Sequence, residues 1–199
     1  MTPPNSTDAQ PDAEEDRGDT HVGRWATAAF VATSALFVMA WPYIVPDVEP
    51  GYPLTERAVV MPDGTFRMTM NVTERELWVP FDMGQGQLVD FGDAPDLLLK
   101  RYVIRAPGGA KDLGAVSLGE ADATQGGDWV EDAVVDGDWM NTAMERWYEY
   151  SMSNHLLTTK RHTYAIRRSD ETTAYFQVES YYCDPPGSGC MTVRYRLGE

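Results

Sequence analysis

Residues 173–196, with the sequence TAYFQVESYYCDPPGSGCMTVRYR, decide the fold of this chain. Two runs rich in aromatic and β-branched residues, TAYFQVESYY and MTVRYR, flank the turn-forming cluster DPPGSG. Runs of this composition on both sides of a Pro- and Gly-rich loop are typical of two antiparallel strands. The pattern therefore predicts a β-hairpin whose loop is enclosed by Cys183 and Cys190.

Most of the chain upstream of this hairpin also has strand character. Four segments show the alternation or the apolar runs of strands, namely FRMTMNV at 66–72, LWVPFDM at 77–83, LLLKRYVIR at 97–105 and HTYAIRR at 162–168. Met140, Met144 and Trp147 stand at helical spacing and predict one short amphipathic helix over 139–150. The Gly- and Asp-rich residues 108–138 favour long loops. We expect a mainly β fold with one short helix.

The N-terminal quarter contains a long apolar stretch, Trp25 to Val45, without a charged residue. A helix of this length spans roughly 30 Å at about 1.5 Å per residue, which is the thickness of the bilayer's hydrocarbon layer. A buried core helix and a cleaved signal peptide are the alternatives. A signal peptide opens with a short basic region, whereas a Pro-, Asp- and Glu-rich tail precedes this stretch. The sequence favours an uncleaved transmembrane helix over residues 25–46.

The orientation of this helix follows from the positive charges beside it. Arg17 and Arg24 precede it, and the positive-inside rule then places the N-terminal side in the cytoplasm. The predicted order is a disordered acidic cytoplasmic tail, the transmembrane helix, an extended linker and a periplasmic β domain, at residues 1–24, 25–46, 47–64 and 65–199. We expect a single-pass protein of a bacterial cytoplasmic membrane.

The two cysteines fit a disulfide or one half of a metal or redox site. A metal site needs a shorter spacing and a second pair of ligands nearby, and neither is present in the sequence. Since the predicted topology places both residues outside the cytoplasm, where thiols oxidise, the disulfide Cys183–Cys190 is favoured.

The order of three segments resembles the HmuY family of bacterial haem-binding surface proteins. They are LWVPFDMGQGQLV, LLLKRYVIRAPGG and TYAIRRSDETTAYFQVESYYCDPPGSGCMTVRYR, within residues 75–197. The resemblance implies a compact β fold, an extracytoplasmic location and, in known members, haem held between two side chains. Two features depart from the family pattern. The lipid-anchoring N-terminal cysteine is replaced by the apolar stretch, and Asp96 is followed by Leu97 where a Trp-Asp pair is common.

Haem is the one cofactor that the resemblance suggests, whereas the residue patterns alone indicate none. Family members use His or Met as ligands, and His155, His162 and Met152 are the candidates in the exported domain. Each has a simpler interpretation, because a lone His in a polar segment is typical of a surface loop. Covalent haem attachment is excluded by the absence of a C-x-x-C-H motif.

Composition and motifs weigh against two other classes of function. A net charge of −15 leaves no basic surface for nucleic acid. The sequence has no H-E-x-x-H, no G-x-S-x-G and no phosphate-binding glycine loop, so we do not expect an enzyme.

The apolar stretch also bears on partners. Ala28, Ala32 and Ala35 fall on one face of a helix, and such small residues let helices pack closely within a bilayer. The exported part has 25 acidic residues against 14 Lys and Arg, which suits a basic soluble electron carrier. The first functional hypothesis is an accessory or docking subunit of a larger membrane complex, such as a respiratory or photosynthetic electron-transfer complex. The alternative is a membrane-tethered haem-binding or haem-uptake protein.

The predicted topology can be tested with reporters fused after Glu199. We expect alkaline phosphatase, which folds only after export, to be active, and a cytoplasm-dependent fluorescent protein to be dark. The reverse pattern would contradict a periplasmic domain. The mass of the intact protein checks separately that the apolar stretch is retained.

Overall fold

The computed structural model describes residues 27–35 and 48–198. Contacts within the chain divide it into two units, Met1–Pro46 and Asp47–Glu199. In the first unit, residues 27–35 are helical and exposed, and Ala28, Ala32 and Ala35 belong to this helix. The packing of their face against another helix stays a prediction.

Most of the predicted transmembrane segment and the whole tail 1–24 lie outside the described residues. Within the described part of the chain, no helix has both the length and the apolar character needed to cross a membrane. The span over 25–46 therefore also stays a prediction.

The second unit is mainly β, as expected. Its strands within the described residues are β1 (Val59–Val60), β2 (Phe66–Asn71), β3 (Val79–Asp82), β4 (Gln87–Leu88), β5 (Leu97–Lys100), β6 (Val103–Arg105), β7 (Ala110–Asp112), β8 (Asp132–Val135), β9 (Asp138–Asn141), β10 (Tyr148–Tyr150), β11 (Leu157–Thr159), β12 (Tyr164–Arg167), β13 (Thr173–Cys183) and β14 (Gly187–Leu197). Two single-turn 3-10 helices, Phe91–Asp93 and Thr142–Met144, complete the elements.

The strands form two larger sheets and two hairpins. A six-stranded sheet has the order β1-β2-β14-β13-β12-β7, and a four-stranded sheet has the order β4-β3-β5-β6. The pairs β8-β9 and β10-β11 stand apart as two-stranded sheets. The predicted C-terminal hairpin, β13 and β14, lies at the centre of the larger sheet, and its two strands of 11 residues each are the longest described.

Both larger sheets contribute to one hydrophobic core. Met191, Val193 and Tyr195 of β14 alternate inward and are fully buried, as expected for a strand with one face on the core. Phe81 of β3 packs edge-on against the Tyr195 ring, with ring centroids 5.7 Å apart. Leu97 and Leu99 of β5 join the same core. The shared core fixes the two sheets to each other.

The short helix predicted over 139–150 is present only as the 3-10 turn Thr142–Met144. The residues on either side belong to β9 and β10, so Met140 lies on a strand rather than on a helix face. Met144 and Trp147 are buried, as their spacing indicated. The prediction of loops over 108–138 missed β7 and the β8–β9 hairpin, because strands of three or four residues are too short to show apolar alternation.

The predicted linker, residues 47–64, makes specific contacts with the β domain. The Thr55 amide donates to the carbonyl of Thr69 at 3.1 Å. Glu49 accepts hydrogen bonds from both the amide and the hydroxyl of Thr159, at 3.0 and 2.6 Å. Tyr52 forms a bridge with Cys183. The described part of this segment, from residue 48 onward, is therefore extended but fixed on the domain surface.

The disulfide Cys183–Cys190 is present and closes the turn of the central hairpin. Its Cα atoms are 4.9 Å apart and Cys190 is buried. A loop of this size contributes roughly 2 to 3 kcal/mol to stability in the chain-entropy account.

One buried carboxylate joins the two sheets. Asp96, directly before β5, is 1% exposed. Its oxygens accept hydrogen bonds from the Met83 amide at 2.8 Å, the Ser169 amide at 2.9 Å and Arg168 Nε at 3.1 Å. Arg168 and Ser169 begin the turn between β12 and β13. Asp96 thus connects the four-stranded sheet with the larger one.

We expect the substitution Asp96→Ala to lower the free energy of unfolding by about 2 to 4 kcal/mol, because it leaves the buried Met83 amide and Arg168 Nε without their acceptor. The Arg168 guanidinium keeps its ion pair with Asp170 at 2.8 Å. Chemical denaturation monitored by tryptophan fluorescence measures this loss. The control is Asp138→Ala, whose carboxylate pairs with Lys100 but is 63% exposed, and which we expect to cost less than about 1 kcal/mol. Equal costs for the two variants would contradict a special role for Asp96.

Candidate ligand-binding site

A cavity of about 430 Å³ opens between β10–β11, the β5–β6 turn and the end of β13. Half of its lining residues are tyrosines, and we call it the tyrosine cavity. These are Tyr102, Tyr148, Tyr150, Tyr181 and Tyr182, out of ten tyrosines in the chain. Small-molecule sites have volumes of roughly 300 to 1,000 Å³ and mostly apolar or aromatic walls. The cavity meets both criteria.

Two adjacent tyrosines line the same cavity because β13 is irregular. Neighbouring residues of a regular strand point to opposite faces of a sheet. The pairing of β13 with β14 shifts register between Val178 and Ser180 and again between Ser180 and Tyr182. The Ser180 hydroxyl accepts a hydrogen bond from the Tyr182 amide at 3.1 Å within this bulge. The bulge therefore aims Tyr181 and Tyr182 at one space.

The aromatic side chains hold the cavity wall together. The Tyr182 hydroxyl accepts from the Leu157 amide at 2.9 Å and donates to the Leu157 carbonyl at 3.0 Å. Trp147 Nε1 donates to the Tyr102 carbonyl at 2.8 Å. Trp147 also lies edge-on to Tyr148, with centroids 5.0 Å apart. These contacts attach both β11 and the β5–β6 turn to the core.

Burial affects the ionisation of two of these phenols. It raises the pKa of Tyr148. It also raises the pKa of Tyr181, where burial is the largest of several effects. Both hydroxyls are therefore protonated at neutral pH.

A smaller cavity of about 290 Å³ adjoins the tyrosine cavity and shares Arg101 and Tyr102 with it. We call it the basic cavity, because Arg75, Lys100 and Arg101 line it. Lys100 pairs with Asp138 at 3.2 Å, whereas Arg75 and Arg101 have no ion pair among the described residues. Such cations can receive an anionic group of a ligand.

Two residues that line the tyrosine cavity have backbone conformations that residues with a Cβ atom rarely adopt. Arg101 has a φ of 52° and His155 a φ of 58°. The left-handed region costs roughly 1 to 2 kcal/mol for a residue with a Cβ atom. Unfavourable conformations of this kind concentrate at binding sites, and both of these residues line one cavity.

The structure places the predicted haem ligands in different surroundings. His155 lines the tyrosine cavity, where its Nδ1 lies 2.5 Å from the Tyr150 hydroxyl. His162 pairs instead with Asp112 at 3.0 Å, and Met152 is 78% exposed. Neither His162 nor Met152 lines the cavity. Within the described residues, no cluster of His, Cys, Asp and Glu could hold a bare metal ion.

Sequence reasoning missed the tyrosines and Arg101. Their signal was present as the dipeptides Arg101–Tyr102 and Tyr181–Tyr182 and the segment Tyr148–Tyr150. A pair of adjacent aromatic residues in a strand is incompatible with simple alternation. This departure from alternation was the sequence signal for a bulge and for a second aromatic surface beside the core.

Solved structures with the same architecture exist. A protein from Bacteroides vulgatus described as HmuY-like and haem-binding has a TM-score of 0.58 and 19% identity, covering 71% of this chain and 97% of its own. The apo HmuY analogue of Tannerella forsythia has a TM-score of 0.59 and 14% identity, covering 68% and 96%. This chain has the HmuY-like fold.

The resemblance noted in the sequence is thus confirmed at the level of the fold. A lipoprotein from Bacteroides fragilis has the HmuY-like fold of this chain as well, with a TM-score of 0.59, 19% identity and coverage of 69% and 93%. No family model and no curated protein matches the sequence.

We expect Tyr182→Phe to loosen the wall of the cavity, because the Leu157 amide and carbonyl lose their shared partner. The cost in unfolding free energy should be about 1 to 3 kcal/mol. Amide hydrogen exchange should accelerate at Leu157 more than elsewhere. Tyr52→Phe is the control, since no described residue hydrogen-bonds to the Tyr52 hydroxyl and Arg67 can still lie over the ring. Unchanged exchange at Leu157 would show that the hydroxyl does not hold β11.

Proposed function

We propose that the β domain binds a planar tetrapyrrole that carries carboxylates, haem being the leading candidate. The observation that carries the proposal is the pairing of the tyrosine cavity with the basic cavity through Arg101 and Tyr102. The tyrosine cavity suits an extended aromatic ring, and the basic cavity suits the acidic substituents of that ring. Two of the neighbours with the same fold are named for haem or HmuY, which supports this choice of ligand.

The tyrosine cavity would take the macrocycle. Tyr102 lies edge-on to Tyr148 with centroids 5.9 Å apart, so the two rings offer faces at different angles. Aromatic contacts of this type contribute about 0.5 to 1.5 kcal/mol beyond the area that they bury. Leu156 and Leu157 add apolar surface on the β11 side.

The basic cavity would take the carboxylates. Arg101 lines both cavities, so its guanidinium can bind a carboxylate while the macrocycle occupies the tyrosine cavity. Arginine binds carboxylates with two parallel hydrogen bonds. Local charge matters here more than the net charge of −15, because binding acts over a few ångströms and salt screens the rest at about 8 to 10 Å.

The cavity also offers groups that ligate haem iron. Histidine and tyrosine are both known axial ligands, and a ferric haem would supply a Lewis-acidic centre for them. His155 and Tyr150 are the ligating types at the cavity edge. The residues present therefore fit the group.

Two further parts of the proposal concern location and role. We propose that the domain is extracytoplasmic, which the disulfide Cys183–Cys190 supports. Tethering by the N-terminal apolar stretch and packing of its alanine face remain proposals. The domain would bind and hand over its ligand rather than transform it. The alternative role as a subunit of an electron-transfer complex has no support among the structural neighbours.

Titration of the purified 199-residue chain with hemin tests the proposal. We expect a saturable shift of the Soret band at one equivalent. Arg101→Gln should weaken binding about tenfold, which corresponds to the loss of one charge-assisted contact of about 1.4 kcal/mol.

Arg57→Gln is the matched control, because Arg57 is exposed and lines neither cavity. Its hemin affinity should equal that of the unmodified chain. Absence of a saturable shift in the unmodified chain would overturn the proposal, and equal weakening by both variants would show that only overall charge matters.

A further inference from the structure

The edge of the tyrosine cavity contains a phenol and an imidazole in direct contact. The Tyr150 hydroxyl and His155 Nδ1 are 2.5 Å apart. Tyr150 ends β10 and His155 lies in the turn before β11, so one β-hairpin carries both. Both side chains line the cavity. The pair therefore belongs to the wall that a ligand would meet.

The turn holds this pair in place at a conformational cost. His155 has a φ of 58°. Its amide donates to the Ser151 carbonyl at 2.9 Å, and the Ser151 amide donates to the Leu156 carbonyl at 2.9 Å. These two bonds close the turn and keep the imidazole beside Tyr150, although the left-handed backbone is unfavourable for histidine.

We infer that Tyr150, rather than a His/Met pair, is the side chain that would ligate the iron of a ferric porphyrin, with His155 as the hydrogen-bond partner that positions its hydroxyl. The inference rests on the proposed function. On ligation the phenolic O–H bond would break, the phenolic oxygen would bind the ferric iron, and the proton would join the hydroxide that aqueous hemin carries, which would leave as water. No electron is transferred in this exchange.

The other tyrosines of the cavity are poorer ligands. The Tyr182 hydroxyl is occupied by both backbone groups of Leu157. The Tyr148 ring packs edge-on against Trp147, with centroids 5.0 Å apart, and Tyr181 is only 4% exposed. Tyr102 has no basic nitrogen of a histidine against its hydroxyl among the described residues. Tyr150 alone combines access to the cavity with a base in hydrogen-bond contact.

In the tautomer that carries its hydrogen on Nδ1, the His155 imidazole would donate a hydrogen bond to the phenolate oxygen. This makes His155 a positioning residue, since it acts on the iron through Tyr150. A phenolate is a hard, anionic oxygen ligand and favours Fe³⁺ over the softer Fe²⁺. The site would accordingly hold oxidised haem and release it on reduction, a property that a His/Met pair would not confer.

The test compares hemin with iron-free protoporphyrin IX on the purified chain. Tyr150→Phe keeps the ring of the tyrosine and removes only the ligating oxygen. We expect it to weaken hemin binding at least about tenfold and to change protoporphyrin binding less than about twofold. Resonance Raman spectra of the hemin complex should show an iron–phenolate stretch that Tyr150→Phe abolishes.

Two further variants separate the roles of the neighbouring groups. Met152→Leu should leave both affinity and spectrum unchanged, because Met152 does not line the cavity. His155→Ala should weaken hemin binding but retain the iron–phenolate band at a shifted frequency, and His155→Gln, whose amide can still donate, should restore part of the affinity. Reduction with dithionite should release the ligand from the unmodified chain.

The outcomes distinguish this inference from the proposed function. If Tyr150→Phe binds hemin as tightly as the unmodified chain, Tyr150 is not the ligand although the haem site stands. A low-spin spectrum that Met152→Leu or His155→Ala abolishes would assign the iron to those residues instead. If the unmodified chain binds neither hemin nor protoporphyrin, the proposed function itself fails.

Discussion

The position of one buried carboxylate determines how the two sheets face each other. Asp96 precedes β5 and binds Arg168 and Ser169 at the β12–β13 turn of the opposite sheet. From this fixed point, β5 runs to the Arg101–Tyr102 turn, which lies about 17 Å away at 3.3 Å per residue. The tyrosine cavity takes Tyr102 from one sheet and the tyrosines of β13 from the other. The cavity is therefore built from elements of both sheets that Asp96 joins.

The sequence predicted the parts of this structure that follow from repeating patterns. Alternation and the turn-forming DPPGSG cluster were sufficient for the β13–β14 hairpin, whereas its disulfide was predicted only together with the topology. The site could not be predicted in the same way. Tyr181 and Tyr182 share a cavity because a bulge changes the register of β13, and the bulge depends on tertiary packing rather than on local composition. His155 was recognised as a candidate, but its partner Tyr150 was not, since their contact arises from the turn between β10 and β11.

The basic cavity, like the tyrosine cavity, could not be predicted from a local sequence pattern. The excess of 31 acidic residues over 16 Lys and Arg was the reason not to expect nucleic acid as a partner, and it concealed the basic cavity. Arg75, Lys100 and Arg101 are separated in sequence by up to 26 positions and meet only because the β5–β6 turn folds toward residue 75. Net charge is a sum over the chain, whereas a carboxylate ligand responds to the nearest few cations.

The disulfide has a more specific role than general stabilisation. A bulged ladder has fewer regular hydrogen bonds than an ideal one, and the ladder between β13 and β14 is irregular from Val178 to Tyr182. Cys183 follows Tyr182 directly, and the bond to Cys190 closes the strand just beyond the bulge. Ser188, inside the closed loop, also lines the tyrosine cavity. The covalent link therefore acts at the place where the hydrogen-bonded ladder is interrupted to form the site, and it keeps the two tyrosines in position without requiring a regular strand.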